Sequence, residues 1–294
     1  MSWLNAIVHG IFLGGIYALL ATGLSLMFGV MRIINLAHGS LALLGAYMAY
    51  LLVQHTGMSP YLTLVPILPG ALVVGYVLQR TMLERSLRAG TLVPLLTTFG
   101  LLIVIGNLLL KFFSPDVHSL DPGSIGATSW RVTSSLSIGA FETLTLGLAV
   151  TVIAGLHVFV SRTRLGRELR ACAEDPDTAE LVGVDARAVY ARATAIAVST
   201  AALAGVFFAM RSTFDPSSGP TQLIYAFEAV VIGGLGSLWG TLFGGLVLGV
   251  TQTIGAQVNP QYFALFGHLV FLAVLVVRAM VESAAIGAVR RVPA

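Results

Sequence analysis

Residues 4–30 read LNAIVHGIFLGGIYALLATGLSLMFGV, a run of 27 positions without one Asp, Glu, Lys or Arg. A helix needs about 20 apolar residues to cross the hydrocarbon core of a bilayer. This run exceeds that length, and it is followed by more of the same. Apolar runs recur at 40–53, 60–79, 92–113, 140–161, 194–210, 238–258 and 262–281. A shorter run at 223–235 contains Glu228 and is broken by Gly233, Gly234 and Gly236. The pattern predicts an all-α, polytopic transmembrane bundle of about eight or nine segments, with discontinuous Gly-rich helices, forming one transmembrane domain over 1–294.

Composition excludes the main alternatives. Of 294 residues, 56% are hydrophobic and 10% are charged, against about 25% charged in soluble domains. A soluble enzyme of this size needs more polar surface. The net charge is +3, but the basic residues lie between apolar runs, not on one face as in a nucleic-acid binder. The single cysteine, Cys172, excludes an intrachain disulfide framework. The first 31 residues hold no Lys or Arg, so the basic n-region of a cleavable signal peptide is absent.

Arginine placement sets the expected orientation, because basic loops stay in the cytoplasm. Arg80, Arg85 and Arg88 share one connection, six arginines lie within 162–192, and Arg278, Arg290 and Arg291 lie in the tail. All three regions share one side if two segments separate the first pair and four the second. That favours 223–235 as a crossing, with the N-terminus outside and the C-terminus cytoplasmic. The stretch 114–139, rich in Pro, Gly, Ser and Thr, is then an external loop.

The cytoplasmic loop 162–193 is the most polar stretch. Asp175-Pro176 reads as a helix start, with Asp at the N-cap and Pro at the first helical position. Asp177 suits the positive helix end, and Gly183 suits a stop. A short capped helix is expected at about 176–182, through Thr178, Ala179, Glu180, Leu181 and Val182. It is either a turn that keeps a long loop compact or an element that docks on a cytoplasmic partner.

Two glycine-rich breaks are the second informative feature. One runs from Gly29 through Asn35 and His38 to Ser40; the other includes Gly233, Gly234, Gly236 and Ser237. Each sets Gly-Ser-Leu before an apolar helix, and interrupted spans at matching places in two halves point to a transport pathway. The match is short, so chance similarity in a Gly-rich chain is the competing reading. Asn35, His38, Ser40, Glu228, Gly233, Gly234, Gly236 and Ser237 are the candidate pathway residues. His38 also reads as a hydrogen-bonded structural residue, since no acid is near it in sequence. Glu228, the one acid well inside an apolar run, either pairs with an Arg or lines the pathway. Glu142 and His157 read as interfacial. The Gly240/Gly244 and Gly245/Gly249 pairs suit close helix packing inside the chain, or a subunit interface.

No catalytic constellation stands out. A P-loop needs a Lys after a Gly-rich loop, and the only lysine, Lys111, follows Leu110. No metal or cofactor site is expected.

Three blocks carry a resemblance. They are Gly14-Gly15-Ile16-Tyr17-Ala18-Leu19 continuing to Asn35-Leu36-Ala37-His38-Gly39; Thr163-Arg164-Leu165-Gly166-Arg167 with Asp175 and Leu181-Val182-Gly183-Val184; and Gly233-Gly234-Leu235-Gly236-Ser237-Leu238-Trp239-Gly240. In these the chain resembles the LivH-type permease subunit of bacterial branched-chain amino acid ABC importers. Ser40 departs from the acidic residue or Asn common there, and Leu36 from Phe. The resemblance implies a bacterial inner-membrane protein. It implies four kinds of surroundings: a second related permease, two cytoplasmic ATP-binding subunits carrying ATP and Mg, a periplasmic substrate-binding protein, and membrane lipid. It also implies that 175–183 is the coupling helix. Relatives of that family carry branched-chain amino acids, urea, short amides or aromatic acids. An ion-coupled secondary transporter or a channel is the alternative.

Overall fold

A helix apolar on every side must be covered on every side. Helix α1 (Trp3–Met31) meets that demand in the computed structural model, which describes residues 3–90, 92–133 and 136–289. About 83% of its membrane-length core is buried inside the chain. In order follow α2 (His38–Thr56), α3 (Leu64–Ala89), α4 (Val93–Phe113), α5 (Ala140–Arg162), α6 (Arg164–Glu174), α7 (Pro176–Leu181), α8 (Ala186–Arg211), α9 (Gly219–Gly233), α10 (Leu238–Val258) and α11 (Phe263–Val289). Helix α8, dense in alanine, is buried as fully as α1, whereas only 6% of the α11 segment is covered. So α1 and α8 form the centre, and α11 lies on the periphery.

Small residues make the centre possible. A Cβ added at Gly14 would stand 2.5 Å from the Leu246 Cα, and one at Gly205 would overlap the Ala42 carbonyl. The first contact joins α1 to α10, the second α8 to α2. Backbones this close gain dispersion contacts that larger side chains would prevent. Both glycine pairs of α10 are spent inside the chain: Gly240 and Gly244 meet Gly233 and Ala229 of α9, while Gly245 and Gly249 meet Gly14 and Gly10 of α1.

Seven helices among the described residues are long and apolar enough to cross a membrane. The difference from the expected eight or nine lies in α2 and α9. The 19 residues of α2 include polar His38, Ser40, Gln54 and His55. The 15 residues of α9 reach only about 22 Å at 1.5 Å per residue, short of a core about 30 Å thick.

Two elements were not anticipated, a β-ribbon and the helix α6. Residues 114–139 carry a helical turn at Ser124–Ala127 and a two-stranded antiparallel ribbon, β1 (Ser129–Thr133) with β2 (Leu136–Gly139). The chain is therefore mostly helical with a little sheet, rather than all-α. This stretch is pinned to the bundle, since His118 and Phe214 exchange backbone hydrogen bonds of 2.8 and 2.9 Å. The second element is α6. Thr163 caps it by accepting from the Gly166 amide at 3.0 Å. Leu165, Leu169 and Cys172 recur at helical spacing, and the latter two are fully buried.

Candidate translocation and docking sites

The first break is an unwound segment between α1 and α2. Arg32, exposed at its start, takes a left-handed φ of 53°, a conformation that costs an L-residue energy unless its surroundings impose it. Asn35 closes the turn by accepting from the Ala37 amide at 3.0 Å. Leu36 donates its amide to the Thr98 hydroxyl at 3.2 Å, which ties the break to α4. His38 is fully buried, and its Nε2 lies 2.8 Å from the Leu20 carbonyl of α1. That bond matches the structural reading of His38. Asn35 and Ser40 are likewise closed off from the surface.

The second break is the tight turn between α9 and α10. Gly234 and Gly236 take φ values of 103° and 82°, open to glycine at little cost. Ser237 caps α10 by accepting from the Gly240 amide at 3.1 Å. Ser40 does no such thing: it is the third residue of α2, whose N-cap is Ala37. The two Gly-Ser-Leu triplets are thus alike in letters and unlike in structure. The breaks nonetheless converge, because a Cβ on Gly236 would stand 3.0 Å from the Gly29 Cα. Ser40 in turn packs on Gly219, at the start of α9.

Glu228 has a partner that spacing alone did not reveal. Its carboxylate bonds Nδ1 of His268 on α11, not an arginine. Only 2% of Glu228 is exposed, and its second oxygen has no hydrogen-bond partner among the described residues. Close by, Tyr17 donates to Gln252, and its ring packs at a tilt 5.1 Å from that of Tyr225. Glu142 is more than interfacial. It stands 3.6 Å from both His9 and Arg211, which joins the ends of α1, α5 and α8.

The predicted loop helix forms as α7. Asp175 accepts from the amides of Asp177 and Thr178 at 3.0 and 3.2 Å and from the Thr178 hydroxyl at 2.6 Å. The Thr178 hydroxyl first, then the backbone amides, hold the Asp175 carboxyl below the usual carboxylate range. Gly183 follows the helix with a left-handed φ of 87°. Ala179 anchors the inner side, while Leu181 and Val182 stand 87% and 77% exposed. Two large apolar side chains thus lie uncovered at the tip of a charged loop.

A bundle of membrane-length helices with interrupted segments and a capped loop helix bearing an exposed apolar tip defines a multi-pass membrane permease. The family described as branched-chain amino acid transport system / permease component matches residues 6–276, and the chain belongs to it. It serves as the permease of an ABC importer. It is 33% identical to the high-affinity branched-chain amino acid transport system permease protein BraD of Pseudomonas aeruginosa, over 92% of each chain. It is 30% identical to LivH of Salmonella typhimurium, over 94% of each. The fructose import permease protein FrcC of Rhizobium meliloti is 27% identical, over 83% of this chain and 69% of its own. No solved structure matches the chain significantly.

Proposed function

We propose that this chain forms half of a translocation pathway for branched-chain amino acids or a related small solute. The high-affinity relatives BraD and LivH are named for that substrate class. Its N-terminus lies outside and its C-terminus in the cytoplasm, with 114–139 external and 162–193 cytoplasmic, about nine segments in one domain. A second permease, two ATP-binding subunits holding ATP and Mg, and a periplasmic binding protein complete the machine. The chain itself holds no cofactor.

The observation that carries this reading is the exposed apolar tip of α7, Leu181 and Val182, on a helix fixed by the Asp175 cap. On this reading 175–183 docks on an ATPase and transmits its closure. The permease pair then rocks between outward and inward states around the paired breaks, with Asn35, His38, Ser40, Glu228, Gly233, Gly234, Gly236 and Ser237 at or beside the pathway. The burial of the first three supports a role in holding its walls. Vesicles containing the whole assembly should take up L-leucine only with ATP and the binding protein. Uptake by this chain alone on an ion gradient would instead identify a secondary transporter.

A further inference from the structure

Between the last turns of α1 and the second break lies a crevice that the family match does not assign. Its volume is about 210 Å³, far above the roughly 10–15 Å³ that a single water needs. Its walls come from four places: the last turns of α1, the end of α5, one face of α6, and the turn that opens α10. Most of the lining is aliphatic, including Leu26, Val30, Leu169 and Leu238. Two polar groups interrupt it. Ser25 is fully buried, lines the crevice, and its Oγ has no hydrogen-bond partner among the described residues. Arg170 contacts the Val160 carbonyl, and among the described residues it has no carboxylate partner.

The backbone adds a polarity of its own. The crevice lies between the C-terminal end of α1 and the N-terminal start of α10. A helix C-terminus carries partial negative charge and an N-terminus partial positive charge. One side of the crevice therefore favours an ammonium group, and the other favours a carboxylate. Interrupted membrane helices place such ends against charged solutes.

We propose that this crevice is a cytoplasmic-side subsite for an aliphatic α-amino acid, an assignment that rests on the importer reading above. The ammonium group meets the α1 terminus and the free Ser25 Oγ. The carboxylate meets Arg170 and the start of α10. The hydrocarbon side chain lies on the aliphatic wall. The crevice is also wired to the docking helix. Leu169, Arg170 and Ala173 sit on α6, and Asp175 both ends α6 and caps α7. A push on α7 thus moves one wall of the subsite, which couples the ATPase to solute release.

The test uses the complete importer in vesicles, with Cys172→Ala to remove the only cysteine. Ser25→Cys is then treated with a small methanethiosulfonate reagent from the cytoplasmic side, with and without L-leucine. At ten times its dissociation constant, L-leucine is expected to slow modification about tenfold, and L-glutamate is expected to have no effect. A thiol that reacts at the same rate with and without L-leucine, or does not react at all, overturns the subsite. Ala173→Cys on the opposite wall gives the same readout if Ser25→Cys fails to assemble. ATP-driven L-leucine uptake by the Cys172→Ala importer is the separate control. If uptake is intact and neither thiol is protected, the subsite alone is wrong. If uptake is absent, the importer reading fails and the subsite falls with it.

Discussion

Replacing Leu181 and Val182 together by alanine separates folding from docking. Both side chains are largely exposed, 87% and 77%, so their loss removes almost nothing from the chain's own core. In the assembly they are expected to be buried by an ATPase. Leu→Ala deletes three carbons and Val→Ala two, at about 0.8 kcal/mol for each buried carbon. Scaled by the exposure available to be covered, that gives roughly 2 kcal/mol for Leu181 and roughly 1 kcal/mol for Val182. The sum, about 3 kcal/mol, corresponds to roughly a hundredfold weaker association. The assay is titration of the ATP-binding subunits onto the permease in lipid nanodiscs, beside a thermal unfolding curve of the permease alone. The expected result is a hundredfold rise in Kd with an unchanged Tm. An unchanged Kd would refute the docking argument, and a fallen Tm would show that the tip belongs to the core after all.

Three further predictions follow from other contacts. Gly14→Val forces a side chain against the α10 backbone and should cost about 1–3 kcal/mol, read as a lower Tm in detergent; an unchanged Tm would show that the α1–α10 seam can give way. Glu228→Ala leaves the His268 ring without its acceptor and should cost about 1–3 kcal/mol, whereas Glu228→Gln keeps an acceptor and should cost less; equal stability of the two variants argues against the pair. The Asp175 cap has a folded value below the ordinary carboxylate range, so its stabilisation is complete above the unfolded value of about 3.9 and is lost as pH falls through the lower folded one. Protection of the Asp177 and Thr178 amides from hydrogen exchange should therefore persist from about pH 8 to about pH 5. Its loss within that window contradicts the cap geometry.

The membrane class and the α7 cap were legible because each rests on local chemistry. An uncharged run of membrane length has few other fates, and Asp-Pro-Asp followed by Gly183 states a helix start and stop within nine residues. Helix α6 was not anticipated: Thr163 and the spacing of Leu165, Leu169 and Cys172 carried a local signal for it, but the surrounding arginines hid that pattern. What sequence did not reveal depends on contacts between distant segments. Glu228 finds His268 forty positions away, and Glu142 gathers His9 and Arg211 from two other helices. The Gly-Ser-Leu repeat is one of letters and not of local structure, because the same three letters serve as a cap at Ser237 and as a helix interior at Ser40. The convergence of Gly29 with Gly236 was not legible at all, since it follows from how α1 lies against α10.

The burial of α1 has a consequence for how the protein is made. This helix leaves the ribosome well before its partners, since the residue that Gly10 packs against, Gly249, lies 239 positions later. At about 5–20 residues per second, that partner arrives roughly 12–48 s afterwards. Through that interval α1 stands in the bilayer with its final neighbours unsynthesised. Its freedom from charge from Trp3 to Met31 lets lipid serve as a provisional solvent until α8 and α10 displace it.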